Sequence, residues 1–208
     1  MYKYLTIIIV LLLGLNSNSQ INGITSTGEE VLLYGNRTWK YSNDSTSITK
    51  IDKNNKLFLK NKTSTFLIKS DKTKIGLWIN PKNWSFSKAK PESAAEFLFK
   101  IKKKDIHGML IAEKIEMPIE NLVELAFDNA KEAASDVKII KKEYRTVNDL
   151  EVIMMQLSGI IRGIHFVYYG YYYSSPNGSF QLVTYTSQNL FEKSKEDMEE
   201  LLNGLVER

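Results

Sequence analysis

The 208-residue chain predicts an α+β fold: an antiparallel sheet flanked by helices (an α/β/α sandwich) with an N-terminal β-hairpin appendage. Three observations carry this. Between Val137 and Ser187, four β-prone segments follow one another through short turns, which pairs them antiparallel. The segments 117–135 and 189–208 place apolar residues at three- and four-residue spacing and read as amphipathic helices. The strands "VIMMQL" and "HFVYYGYYY" hold large apolar groups at odd and even positions alike. A strand covered on one face alternates, so these expect helix cover on both.

Taken in order, residues 1–19 read as a signal peptide. One charge at Lys3 precedes an unbroken apolar run, Ile7 to Leu13, and Ser17 and Ser19 suit a cut before Gln20. A span needs about 20 apolar residues, so no stable membrane span is expected after cleavage; the competing reading is an uncleaved N-terminal anchor. With no cysteine the chain cannot be a lipoprotein or use disulfides, and a periplasmic or secreted protein of this kind relies on its core. A net charge of +4 is too small to imply nucleic acid.

Residues 20–41 read as a hairpin, with Val31, Leu32 and Leu33 turning through "YGNR" into "TWKY". A hairpin alone is marginal in water, so Val31, Leu33, Trp39 and Tyr41 need a packing partner. Residues 42–56 are polar, lack periodicity and read as a linker. The main domain, 57–208, opens with a short extended segment and a strand at Lys74–Asn80, which Pro81 ends. Strands at Ala95–Ile101 and His107–Glu116 flank the turn "KKKD". Pro118 suits the first turn of the following helix. The four long strands are expected at 137–146, 150–158, 163–173 and 179–187, joined through "VND" and "SPNG". In the last helix Asn189 and Glu192 have capping-box spacing, Phe191, Met198, Leu201, Leu202 and Leu205 form the buried stripe, and Gly204 is expected to fray the end. The lysines of "KIKKKD" and "KIIKKE" read as a turn and an exposed strand face.

"GLWINPKNWSF", the central helix, the aromatic hairpin and "TYTSQNLFEKSKEDMEELLNGLV" together resemble the PsbP-like (Mog1/PsbP) α/β/α sandwich family over residues 64–206. More narrowly, Gly28–Tyr41 joined to such a sandwich resembles uncharacterised secreted proteins of Bacteroidetes. The resemblance implies a binding or assembly module rather than an enzyme, and it carries over no functional residue.

The residues themselves offer few candidate sites. His107 and His165 have no ligand at metal spacing nearby, there is no nucleophile elbow, and no glycine-rich phosphate loop follows a strand. Catalytic, cofactor and metal sites are therefore all expected to be absent. The aromatic residues are the candidates: Trp39, Tyr41, Trp84, Tyr169, Tyr171 and Tyr173 as a surface for an envelope protein partner or a glycan or peptide ligand. For the tyrosines sheet packing is the preferred account and the ligand surface the lesser one, and Gly170 admits either a close approach or a bulge. An envelope hydrolase or carbohydrate-active protein with a site at the sheet edge is the alternative function; ionisable groups converging in one cleft would favour it.

Overall fold

A computed structural model of the chain describes residues 21–25, 30–33, 39–41 and 51–208. The leader, the turn "YGNR" and linker residues 42–50 lie outside the described residues. The chain divides into two units, residues 1–49 and 50–208. In the first, β1 (Ile21–Ile24), β2 (Glu30–Leu33) and β3 (Trp39–Tyr41) form an antiparallel sheet in chain order, so the expected hairpin gains a third strand. Val31 is buried there, whereas Trp39 is 46% exposed.

In the second unit the elements are β4 (Asp52–Phe58), β5 (Phe66–Lys69), β6 (Ile75–Ile79), β7 (Trp84–Lys88), β8 (Phe97–Ile101) and β9 (His107–Glu113). Helix α1 (Ile119–Ala133) follows, then β10 (Lys138–Val147), β11 (Leu150–Ile161), β12 (Ile164–Ser175), β13 (Gly178–Ser187), helix α2 (Phe191–Leu202) and β14 (Leu205–Glu207). An eight-stranded sheet runs β4-β10-β11-β12-β13-β9-β8-β7, and a small sheet runs β14-β6-β5.

Three expectations need correction here. The large sheet is mixed, because β4 pairs parallel with β10. Residues 52–56 of that strand had read as linker. The strand is polar because it is a largely exposed edge, held by side-chain bonds (Lys53 pairs with Glu151, and Asn54 donates to Glu143) and at its end by the buried Phe58. Lastly, Gly204 ends nothing by fraying. Its carbonyl accepts from the Trp78 N–H at 2.8 Å, and a Cβ there would sit 1.9 Å from the Trp78 oxygen. Only glycine lets the chain cross that close and add β14 to the small sheet.

The capping box also fails to form. A 3₁₀ turn, Gln188–Leu190, intervenes before α2, and the Asn189 side chain accepts from the Ser187 hydroxyl instead. Pro118 sits just before α1 with extended backbone, its carbonyl accepting from Leu122.

Alternation along β11 and β12 sorts their side chains onto two cores. Val152, Met154, Val167, Tyr169, Tyr171 and Tyr173 join Phe191, Met198, Leu201 and Leu202 of α2. Ile153, Met155, Leu157, Phe166 and Tyr172 join Leu122, Val123, Ala126 and Ala130 of α1. The small alanine side chains let that helix lie close to the strands. Among the described residues, no helix is long and apolar enough to cross a membrane.

Candidate functional site

The tyrosine row resolves first. On the α2 side, the Tyr169 hydroxyl donates to Glu199 Oε1 at 2.6 Å, Tyr171 to Asn203 Oδ1 at 2.9 Å and Tyr173 to Glu207 Oε2 at 2.7 Å. The acceptors lie four residues apart and the donors two. From Glu199 to Asn203 the helix rises about 6 Å, close to the roughly 6.6 Å between alternate strand residues, so Tyr169 and Tyr171 meet the end of α2, while Tyr173 meets Glu207 on β14. Burial pushes the Tyr171 phenol up to about 12, against the pull of the Arg145 guanidinium beside it. Burial and then the Glu207 carboxylate raise Tyr173 to about 12 as well. These phenols stay protonated as donors.

Beneath them lies a buried cation. Arg145 Nε donates to Glu143 Oε1 at 2.6 Å, and Nη1 donates to the Tyr171 oxygen at 3.0 Å and to Glu199 Oε1 at 3.3 Å. The guanidinium also stands 4.3 Å from the centre of the Phe58 ring. Burial works against the Glu143 charge, yet bonds from Lys141, Asn54 and Arg145 outweigh it and hold the carboxyl at about 2.

Three of the predicted site residues on this side therefore belong to the core: Tyr169, Tyr171 and Tyr173 are all buried. Trp84 is likewise core, 2% exposed, and not a surface anchor. Trp78 is half-buried, with Lys60 Nζ over its ring at 5.2 Å. Trp39 and Tyr41 lie on β3 of the first unit. Gly170 marks neither bulge nor ligand: the register is regular through it, and a Cβ would stand 3.0 Å from the Leu182 oxygen of the neighbouring strand.

Beside α2 lies a cleft of about 460 Å³ lined by Leu59, Asn61, Asn83, Glu196, Asp197, Glu199, Glu200 and Asn203. Several of its carboxylates already have partners. Glu199 accepts from Tyr169 and Arg145, Glu200 from Asn80, Asn83 and Thr63, and Asp197 pairs with Lys104. The lining is acceptor-rich and holds no imidazole or hydroxyl nucleophile. Among the described residues no group of three His, Cys, Asp or Glu could hold a metal ion.

The other face of the sheet is only half covered. Helix α1 packs on β11 and β12, while on β7, β8, β9 and β13 the same face carries Ser85, Ser87, Leu98, Lys100, His107 and Tyr185. Leu98 is 42% exposed. A ladder of rings crosses this face: Phe166 to Tyr168 at 4.6 Å, Tyr168 to Tyr185 at 5.6 Å, and Tyr185 stacked on His107 at 5.4 Å. His107 Nε2 is hydrogen-bonded to Asp105 Oδ1 at 3.0 Å, which orients the imidazole. The ladder ends at a groove of about 270 Å³ lined by Ser85, Phe86, Ser87, Leu98, Phe99, Lys100, His107, Gly108 and Tyr185.

That groove runs beside β7, the end strand of the large sheet. Asn83 accepts from Lys102, and Ala89 donates to Glu96. With the β7–β8 register, this makes Ser85 and Ser87 the residues bonded to β8. The backbone groups of Phe86 and Lys88 therefore point away from the sheet. No strand was expected at β7, although "WSFSK" alternates.

No protein-family model matches the chain, and no curated protein matches it either. Solved structures do. The fold is PsbP-like. It is similar to the solution structure of cyanobacterial PsbP (CyanoP) from Synechocystis sp. PCC 6803, with a TM-score of 0.54 and 11% identity over 71% of this chain and 95% of that one. A Pseudomonas aeruginosa protein of unknown function, described as a putative regulator, matches at a TM-score of 0.44 and 12% identity over 69% and 96%. LpqN, involved in cell envelope biogenesis of Mycobacterium tuberculosis, matches at 0.47 and 11% over 68% and 88%.

Proposed function

We propose that this chain is an exported, non-catalytic binding module of the bacterial envelope that takes an extended segment of a partner protein along β7. Fold does not fix function, so the reading rests on the edge. One observation carries it: the outward backbone groups of Phe86 and Lys88 stand beside a groove able to receive alternate side chains of an added strand. Strand addition draws affinity from main-chain bonds and specificity from such pockets. The leader supplies the route, with cleavage before Gln20, and no cofactor is needed.

Lys88→Pro removes one outward N–H while keeping the bonds to β8, since proline is tolerated where the N–H faces off a sheet edge. Lys88→Ala removes the same side chain and leaves the N–H. Crosslinking and pull-down from the native envelope is expected to recover one partner, on a bait beginning at Gln20, with wild type and Lys88→Ala but not with Lys88→Pro. Equal recovery with all three sinks the proposal.

A second reading, a carbohydrate-active site, is favoured by the four carboxylates gathered in the cleft beside α2. Release of reducing sugar from envelope glycan by wild type, and its loss in Glu196→Gln, would establish that reading instead.

A further inference from the structure

We infer that the tip of the β11–β12 hairpin is a docking element for an anionic phospholipid surface. The register places it. On one side β10 begins at Lys138, opposite Ser158; on the other β13 ends at Ser187, opposite Phe166. Residues 159–165 thus run on beyond both neighbouring strands, by about 7–10 Å at 3.3 Å per residue. Arg162 and Gly163, both with positive φ, close the turn.

Its composition runs against that exposure. A projecting, solvated turn is ordinarily polar, yet Ile160 and Ile164 stand 39% and 63% exposed. Ile139 and Ile140, at the start of β10 beside a break in its register, add 38% and 56%. Neither segment, 138–142 or 160–165, contains an acidic residue, while Lys138, Lys141, Lys142 and Arg162 are all basic. Lys141 is paired with Glu143, and Asp136 nearby accepts from the Ile160 N–H. Apolar side chains at a projecting end with cations set around and behind them match a bilayer interface: isoleucines reach the acyl boundary and ammonium and guanidinium groups meet headgroup phosphates. A protein pocket would account for the isoleucines but gives no reason for the excess of cations over the one nearby carboxylate, Asp136. The site lies away from β7 and stands or falls independently of the strand-addition reading.

The chain has no cysteine, so one fluorophore can be placed at will. An environment-sensitive dye at His165→Cys reports the tip; the same dye at Pro176→Cys reports the far end of the hairpin formed by β12 and β13. This keeps the readout separate from any binding through residues 1–19. With the full-length chain and phosphatidylglycerol–phosphatidylethanolamine vesicles, the tip dye is expected to shift to the blue and the far dye to stay unchanged. The tip shift should vanish with Ile160→Ser/Ile164→Ser. Lys138→Gln/Lys142→Gln/Arg162→Gln should weaken the tip's partitioning on the order of a hundredfold, as three surface cations near an anionic bilayer imply. Thermal unfolding checks that both variants remain folded. An equal shift on phosphatidylcholine vesicles, shifts at both dyes, no shift at all, or a concentration-dependent shift without lipid (a second copy at the tip) would overturn the inference.

Discussion

Arg145 bonds Glu143, Tyr171 and Glu199, and its role is best judged by what its loss leaves behind. Arg145→Ala strands Glu143 as a buried charge without its closest partner and leaves Tyr171 bonded only to Asn203. Urea denaturation should record a loss of about 3–5 kcal/mol, the usual cost of breaking a buried pair from one side. Tyr171→Phe removes one hydroxyl and should cost about 1–2 kcal/mol. The same groups set the pH limits. The Glu143 carboxyl titrates near 4.5 when unfolded and is held at about 2 when folded, so its contribution is present above about 4.5 and lost as pH falls toward 2. Tyr171 and Tyr173 are raised from 10 to about 12, so theirs is full below 10 and lost as pH rises toward 12. Stability measured against pH should be flat between these limbs, and Arg145→Ala should shrink the acid limb. The sequence sets Tyr169, Tyr171 and Tyr173 two apart, which is one face of a strand. It gave no sign of Arg145, because a lone arginine in a strand looks the same whether it faces water or a core.

Long elements were legible, short ones were not. Helix α1 and the four strands from β10 to β13 declared themselves through periodicity sustained over many residues, and their observed bounds differ from the expected ones by only a few positions. β4 lacks any apolar alternation because both of its faces meet solvent. β14 is three residues long, too short for a period to register. Gly204, which looked like the end of a helix, instead marks a crossing of two backbones. Gly204→Ala pushes a methyl into the Trp78 carbonyl and should cost about 1–3 kcal/mol or more, through loss of the β14–β6 seam. Amide exchange in β6 is the sharper check: the Trp78 N–H should lose protection in this variant while β11 and β12 keep theirs. Equal protection at Trp78 would mean the seam can shift to admit a side chain.

At the scale of the whole molecule, the two faces of the large sheet have different work. The face under α2 is closed by three tyrosine hydroxyls bonded to the C-terminal segment, so its aromatic row serves cohesion. The face under α1 is covered over β11 and β12, while toward β7 a ring ladder and a groove stay open. Sequence reasoning read the tyrosine row chiefly as sheet packing, with a ligand surface as the lesser reading, and offered no candidate on the open face. Tyr168, Tyr185 and His107 come from three strands and meet only in the folded sheet, so no local pattern could have announced them; their one-dimensional trace is period-two alternation, shared by every strand. A division of labour between closed face and open edge is the account's central claim. It is tested most directly by comparing Tyr171→Phe with Lys88→Pro in parallel for urea stability and for partner recovery from the envelope. The account predicts that Tyr171→Phe is less stable yet recovers the partner, and that Lys88→Pro keeps its stability within about 0.5 kcal/mol yet loses it. The opposite pattern, binding lost with the tyrosine hydroxyl at unchanged stability, would contradict it.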